Sequence, residues 1–165
     1  MIIAISGSVG SGKTSLSKLL SKKLNYEIVH LNDIAKNFKL EEIKDIQTFD
    51  FDLDKLLIFI EKKIKEYKKN KKNIILESHF SHFINPKLVD YLFIINRDLK
   101  DLKKEYINRK YNLQKQKDNL EVEAFNLCFY EGLDEEYEEE KQIFCLKNDS
   151  NLDDLVEEIV KKIKN

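Results

Sequence analysis

The chain has 165 residues, of which 42% are hydrophobic and 36% are charged, and its formal net charge is −1. This composition predicts one folded domain over residues 1–165 and argues against general electrostatic affinity for nucleic acid. Its apolar runs are too short to cross a membrane, and the N-terminus lacks the basic start of a signal peptide. We therefore expect a cytoplasmic protein without a membrane partner, and a monomer as the simplest assembly.

Five short apolar segments alternate with helical patterns along the chain. The segments rich in β-branched and aromatic residues predict strands at IIAIS (2–6), EIVHL (27–31), NIILES (73–78), YLFIIN (91–96) and QIFCL (142–146), all buried. Helical spacing of apolar residues predicts helices at about 13–24, 52–68, 99–109, 119–140 and 152–164. This alternation predicts an α/β fold with a five-stranded parallel sheet and helices on both faces.

Two regions fit the alternation poorly. They are residues 33–52, after the second predicted strand, and residues 109–120, after the fourth. Both follow the carboxyl end of a strand, which is where open parallel sheets bind their ligands. We expect both regions to contribute to a binding site.

The stretch GSVGSGKT, from Gly7 to Thr14, satisfies the pattern G-x-x-x-x-G-K-[ST] between a predicted strand and a predicted helix. Glycines allow the backbone to turn its N–H groups toward phosphate oxygens, and the helix N-terminus adds a partial positive charge. We expect Lys13 to reach the β- and γ-phosphates, Thr14 to ligate Mg²⁺ and Ser15 to meet the α-phosphate. The stretch therefore predicts a P-loop NTPase that binds a nucleoside triphosphate with Mg²⁺.

Two side chains at the carboxyl end of the third predicted strand can complete this site. Glu77 ends that strand, where a P-loop protein holds Mg²⁺ with a carboxylate, usually through water; the alternative is a carboxylate that faces solvent. His79 would point to the same side and could orient the γ-phosphate or the attacking group. His79 and His82 together could also suggest a metal site, but no further soft ligand stands nearby, and we expect His82 to pack in the core or a loop.

Cysteine and arginine are the scarce residue types with possible roles. Cys128 and Cys145 form neither a disulfide framework nor a zinc-ligand spacing, and we expect buried or half-buried thiols. Arg97 and Arg109 are the only arginines, and the planar guanidinium suits phosphate better than a lysine does. We expect both to have functional roles; the alternative for each is a surface ion pair.

The site must belong to a switch, a motor or a kinase. The segment KNDS (147–150) has the letters of a guanine-reading element in the wrong order, and a motor would need a longer chain. A kinase needs an acceptor-binding segment after the second strand and an arginine-bearing lid after the fourth. The two irregular regions stand in these places, so the sequence favours a small kinase.

Several segments resemble the adenylate kinase isoenzyme 6 family over essentially the whole chain. They are IAISGSVGSGKT, VHLNDIAK, LESHFSHF, which is similar to the family's D-x-H element, and RKYNLQKQKDNLEVEAF, which is similar to its R-G-Y lid and N-x-x-x-E helix. The resemblance implies a small nucleoside monophosphate kinase with ATPase activity and a link to maturation of the small ribosomal subunit. It also implies a short lid over about 108–118 and a monophosphate-binding segment over about 30–53.

The same resemblance implies roles for individual residues. ATP contacts fall on Gly10, Ser11, Gly12, Lys13, Thr14 and Ser15, with Arg109 as the lid arginine and adenine near the loop Asn148–Ser150. Asp33 begins the monophosphate segment, and Lys36 stands where relatives often have arginine. Three further departures are Glu77 in place of aspartate, Lys110 in place of the lid glycine, and Asn96 in place of a strand-end arginine.

We therefore expect γ-phosphoryl transfer from Mg²⁺–ATP to AMP or a related monophosphate, with Lys13, Glu77, His79 and Arg109 as catalytic residues. The alternative is a nucleotide-dependent ribosome assembly factor with little kinase activity, whose partner would be a platform protein of the small subunit. The acidic segment around Asp134–Glu140 could meet such a basic partner, although a solvated surface is the stronger explanation for it. A kinase for a non-nucleotide acceptor ranks third.

Overall fold

A computed structural model describes residues 1–43, 48–149 and 151–164. In chain order the strands are β1 (Ile2–Ser6), β2 (Glu27–His30), β3 (Lys39–Ile43), β4 (Thr48–Phe51), β5 (Ile74–Glu77), β6 (Tyr91–Asn96) and β7 (Ile143–Lys147). The α-helices are α1 (Lys13–Leu24), α2 (Leu31–Ala35), α3 (Leu53–Lys69), α4 (Leu99–Asn108), α5 (Leu113–Ala124), α6 (Leu127–Asp134) and α7 (Leu152–Lys164).

Five strands form a parallel sheet in the order β2-β5-β1-β6-β7. The central strand, β1, pairs on both sides, since Ile3 lies opposite Ile75 of β5 and Tyr91 of β6. Helical connections return the chain to the same end of the sheet before each strand, as parallel pairing requires. The predicted α/β fold with a five-stranded parallel sheet is confirmed, and all five carboxyl ends lie at one edge.

Alternate side chains of β1 enter two separate hydrophobic cores. Ile2 and Ala4 face the core that includes α3, whereas Ile3 and Ile5 face the core that includes α1 and α7. All four side chains are fully buried, and a buried isoleucine stabilises the fold by about 1.5–3 kcal/mol. Helices therefore cover both faces of the sheet, and the strand that leads into the P-loop is held from both sides.

Most helix boundaries agree with those predicted from the periodicity of the sequence, and the capping residues at the helix N-termini explain this agreement. The predicted bounds of α1 are confirmed, and α3, α4 and α7 lie within one residue of their predicted positions. The carboxylates of Asp52 and Asp98 accept hydrogen bonds from the backbone N–H groups of Lys55 and Lys100, which caps α3 and α4. Such local signals are readable before any tertiary contact is known.

The prediction of one helix over 119–140 is wrong. The structure has two helices there, α5 and α6, because Asn126 adopts a left-handed conformation with φ 50° and ψ 40°. Asparagine tolerates this region better than most residues, and it interrupts the helical hydrogen bonds. After Asp134 the chain leaves the helix, and the buried Tyr137 donates its hydroxyl to the carbonyl of Ile84 at 2.6 Å.

The two irregular regions have more regular structure than the sequence suggested. Residues 33–52 contain the end of α2 and an antiparallel hairpin of β3 and β4, separate from the main sheet. In the second region, α5 already begins at Leu113, so helix occupies much of the predicted lid. Residues 44–47 of the first region lie outside the described part of the chain.

Two burial predictions are also wrong. The strands β2 and β7 lie at the two edges of the sheet and are partly exposed, because each pairs with a neighbouring strand on one side only. Cys145 is exposed on β7, whereas Cys128 is buried as predicted. Within the described residues, no helix is long and apolar enough to span a bilayer.

Candidate active site

The P-loop turns tightly between β1 and α1. Gly12 has φ 98°, and a Cβ atom at this position would collide with the side-chain amide of Asn148. That amide donates to the carbonyl of Ser11 at 2.8 Å, which ties the loop to the end of β7. No side chain caps the start of α1, so its first backbone N–H groups are available to a phosphate.

Lys13 carries a buried positive charge at the centre of the loop. Its Nζ donates to the carbonyl oxygens of Gly7 at 2.8 Å and Ser8 at 2.7 Å. Burial lowers the pKa of Lys13 to about 8, and the negative charge of Glu77 partly opposes this shift. Both carbonyl acceptors are neutral, so they do not balance the charge of Lys13. A phosphate group can supply the negative charge that balances it.

Glu77 connects the P-loop helix with the edge strand. Its carboxylate accepts a hydrogen bond from the Thr14 hydroxyl at 3.4 Å, and its other oxygen lies 2.8 Å from Nδ1 of His30. The side chain is buried, so the alternative of a solvent-facing carboxylate is wrong. Hydroxyl and carboxylate oxygens are hard ligands that suit Mg²⁺, and Thr14 and Glu77 fit this ion.

His30 was not singled out in the sequence, although it lies at the start of the predicted monophosphate-binding segment. The sequence signal that could have found it is its position at the end of β2, next to β5 in the sheet. There His30 pairs with Glu77, in register across the two strands. This contact fixes one carboxylate oxygen and leaves the other facing Thr14.

Both arginines reach the same cleft as Lys13. The cleft has a volume of about 350 Å³, and its lining includes Lys13, Thr14, Glu77, Arg97 and Arg109. Arg97 donates through Nη1 to the carbonyl of Gly10 at 2.9 Å, so it contacts the P-loop directly. Arg109 lies at the end of α4 and donates through Nε to Glu105 at 2.7 Å, in an ion pair on its own helix. The cleft thus gathers three cationic side chains from three parts of the chain.

His79 also lines this cleft, as the sequence suggested. Part of the His79 side chain is exposed to solvent. The surrounding protein nevertheless removes much of the water around the imidazole, and this desolvation, together with the positive charge of Lys13, lowers the pKa of His79 to about 4. His79 is therefore neutral at pH 7. A neutral imidazole can donate a hydrogen bond to a phosphate or an attacking group, but it adds no positive charge.

Helix α5 contacts the P-loop through Glu123, which the sequence did not single out except within its N-x-x-x-E pattern. The carboxylate of Glu123 accepts from the Ser8 hydroxyl at 2.5 Å and from the backbone N–H of Arg97 at 2.6 Å. Burial raises the pKa of this carboxyl group. Helix α5, which overlaps the predicted lid, is thus joined both to the phosphate loop and to Arg97, which donates to Gly10.

Comparisons with known proteins identify the family of the chain. A family model described as "AAA domain" matches residues 3–126. Proteins named "Putative adenylate kinase" from Methanocaldococcus jannaschii and Pyrococcus abyssi are each 31% identical to the chain over 99% of its length, covering 86% and 84% of the relatives. The chain belongs to this adenylate kinase-like family.

Solved structures support the P-loop kinase fold of the chain. A deoxyadenosine kinase from M. mycoides with bound dATP aligns over 100% of both chains with a TM-score of 0.56 at 18% identity. A sugar kinase from Janibacter sp. aligns over 99% of this chain and 94% of that one, with a TM-score of 0.67 at 13% identity. At these identities the likeness concerns the P-loop kinase fold alone.

The acceptor-side residues implied by the family lie apart from the cleft. Asp33 and Lys36 form an exposed ion pair with each other at 2.6 Å, and Asn32 is the residue of α2 that lines the cleft. Of the other sequence-implied residues, Gly10, Gly12 and Ser15 line it, whereas the Ser11 hydroxyl is buried without a partner among the described residues. Ser150, in the predicted adenine loop, lies outside the described residues.

A second polar cluster lies beside the P-loop. The buried His82 approaches the Ser6 hydroxyl with Nδ1 at 2.7 Å and Glu131 with Nε2 at 2.9 Å, and Cys128 lies next to it. Burial lowers the pKa of His82 to about 3 and raises that of the Cys128 thiol to about 11. His82 is buried, as expected, but the expectation that no soft ligand lies nearby is wrong in space, because α6 brings Cys128 back to it.

Proposed function

We propose that the protein transfers the γ-phosphate of Mg²⁺–ATP to AMP or a related nucleoside monophosphate, as a cytoplasmic kinase of the isoenzyme 6 type. The observation that carries this proposal is the cleft in which Lys13, Arg97 and Arg109 converge opposite Thr14 and Glu77. Membership in a family whose relatives are named as adenylate kinases supports the choice of substrates.

The reaction needs positioning and charge stabilisation, with no covalent intermediate. An oxygen of the monophosphate attacks the γ-phosphorus, and the bond to the β–γ bridging oxygen breaks, so ATP and AMP become two ADP. Lys13 and Arg109 would stabilise the negative charge on the transferred group, and the N–H groups at the start of α1 would hold the β-phosphate.

Thr14 and Glu77 would hold Mg²⁺, which neutralises phosphate charge when it is bound. Arg97 keeps the carbonyl of Gly10 occupied and so supports the loop conformation. Neutral His79 would donate a hydrogen bond to the transferred group or the acceptor.

ATP hydrolysis is part of the proposal, because water can replace the acceptor when the lid closes incompletely. One observation favours a second candidate, an ATPase that switches ribosome assembly through a basic platform protein of the small subunit. Lys36, the cation that the resemblance implies for the monophosphate, is paired with Asp33 outside the cleft, so this lysine does not stand ready for a monophosphate. The acidic turn after α6, where Glu138 pairs with Lys141, would be the contact for such a partner.

Product analysis separates the two candidates. The purified chain is incubated with Mg²⁺–ATP, with and without AMP, beside a Lys13→Ala variant. We expect two ADP for each ATP consumed, dependent on AMP and absent in the variant. ADP with free phosphate regardless of AMP would replace the kinase proposal with the ATPase, and no turnover in either case would overturn both.

A further inference from the structure

We propose that His82, Cys128 and Glu131 form a site for one borderline-soft divalent cation, with Zn²⁺ as its expected occupant. Each side chain offers one ligand atom, and the three atoms lie within 4.8 Å of one another. Among the described residues this is the one group of its kind. It does not depend on the proposed kinase activity and shares no residue with the Thr14–Glu77 pair.

The fold brings the ligands together from two elements. Cys128 and Glu131 are three residues apart on α6, so their side chains lie on the same face of the helix. His82 lies in a short 3-10 turn, Ser81–Phe83, that packs against this face. Zinc–ligand bonds of about 2.0–2.3 Å at tetrahedral angles place ligand atoms about 3.3–3.8 Å apart, so small side-chain movements complete the site.

A neighbouring hydroxyl orients the imidazole. The Ser6 Oγ lies 2.7 Å from Nδ1 of His82 and can accept a hydrogen bond from the Nδ1–H group, which leaves the Nε2 lone pair for the metal. Without metal, Nε2 instead approaches Glu131 at 2.9 Å. Metal binding therefore moves the imidazole proton from Nε2 to Nδ1 and releases the Cys128 thiol proton to solvent, while the carboxylate exchanges a hydrogen bond for a metal bond.

The ligand types decide which ion fits. A thiolate and an imidazole prefer Zn²⁺ over Mg²⁺, which takes oxygen ligands and keeps its water. The same cluster borders a cavity of about 260 Å³ that Gly7 and Ser8 of the P-loop also line. Three protein ligands leave a fourth position for water from that cavity, and the side chain of Glu131, 41% exposed, provides the entry from solvent.

Bound metal would join α6 to the turn at Ser81–Phe83 and, through Ser6, to the start of the P-loop. The test is to titrate the full, chelator-treated chain with CoCl₂ or ZnCl₂ alone, without nucleotide. We expect one equivalent to bind, and Co²⁺ to give the charge-transfer absorption of a thiolate ligand. Excess Mg²⁺ should leave this absorption unchanged, because it does not compete for a thiolate site.

The chain supplies a matched control, since its only other cysteine, Cys145, is exposed on β7. Cys128→Ala should abolish the thiolate absorption, Cys145→Ala should keep it, and Glu131→Gln should weaken binding at least about tenfold. Circular dichroism and ATP binding report whether each variant is folded; if Cys128→Ala is not, wild type and Cys145→Ala still decide. A wild-type chain without the absorption, its loss in Cys145→Ala, or its retention in folded Cys128→Ala would overturn the proposal.

Discussion

The P-loop and the segments around it balance their positive charges differently. At the P-loop, Lys13 and Arg97 donate to neutral backbone carbonyls. In the predicted acceptor segment and the predicted lid, Lys36 and Arg109 each pair with a carboxylate three or four residues away, Asp33 and Glu105 respectively. A phosphate therefore meets ready partners at the P-loop, whereas at Lys36 and Arg109 it must compete with an ion pair.

This difference predicts that the P-loop has its phosphate-binding conformation before the nucleotide binds, whereas the side chains of Lys36 and Arg109 can change partners on binding. Exposed ion pairs contribute only about 0.2–1 kcal/mol, so a bound phosphate can break them at small cost. The buried hydrogen bonds of Lys13, by contrast, hold the loop in one conformation before the nucleotide arrives. Closure of the predicted acceptor segment and the predicted lid would then follow binding, as in other enzymes that exclude water from phosphoryl transfer.

The largest effect is expected at the centre of the P-loop. Replacing Lys13 with alanine removes the buried charge from the phosphates, and we expect kcat/KM to fall by about 10³-fold or more. Lys18→Ala is the matched control, since this lysine lies exposed on the same helix, and its kinetics should be unchanged. Equal losses in both variants would mean that general helix charge, and not the loop position, is responsible.

A somewhat smaller effect is expected for Arg109, the proposed lid arginine. Arg109→Ala should lower kcat by about 10²–10³-fold in steady-state assays, because its charge would act on the transferred group in the transition state. Lys103→Ala, at an exposed position of α4, should retain activity. If Arg109→Ala raises only the KM for ATP, this arginine binds the ground state as strongly as the transition state.

The pH dependence of ATP binding tests the burial of Lys13. Its pKa of about 8 in the free protein means that it is charged below this pH and loses its charge above it. Phosphate charge raises its pKa in the complex, so ATP favours the protonated form. The dissociation constant for ATP should therefore rise about tenfold per pH unit above pH 8, as measured by calorimetry.

The Lys13→Arg variant provides the control for this titration, because arginine stays charged across the whole range. Its ATP affinity should be independent of pH between about 7 and 10. A wild-type affinity that is equally flat would show that Lys13 keeps its proton and that its burial is less effective than the structure implies.

The smallest expected effect concerns the ion pair between Arg109 and Glu105. It tests the contrast between carboxylate partners and the neutral carbonyl partners of the P-loop. Glu105→Gln frees Arg109 from its ion pair, and we expect ATP to bind about 1.5- to 5-fold more tightly as a result. Asp101→Asn, which breaks the Lys104 pair on the same helix away from the cleft, should leave affinity unchanged. Weaker ATP binding in Glu105→Gln would instead indicate that this carboxylate positions Arg109 for the nucleotide.

The parts of the site that were predictable from the sequence are local. The glycine spacing, Lys13 and Thr14 lie within eight consecutive residues, and the helix after them is marked by its own periodicity. Glu77 and His79 were recognisable because a strand end places them at the same edge. In each case, a short segment and one rule about strand ends were enough.

The missed contacts join elements far apart in the chain. His30 meets Glu77 only because β2 pairs with β5, and Glu123 reaches Ser8 only because α5 folds back over the P-loop. The break at Asn126 was equally invisible, since the apolar spacing continues across it. Propensity alone does not reveal where a polar residue will take a left-handed conformation.

The sequence by itself determined the five strands of the parallel sheet, the helices α1, α3, α4 and α7, the phosphate loop and the identity of its charged residues, because backbone periodicity and motif spacing are short-range properties. Only the tertiary structure decided which charges share a cleft, that Lys36 pairs with Asp33 outside it, and that Cys128 returns to His82. These results depend on strand register and on how α5 and α6 pack against the sheet. Register and packing are long-range, and no single segment encodes them.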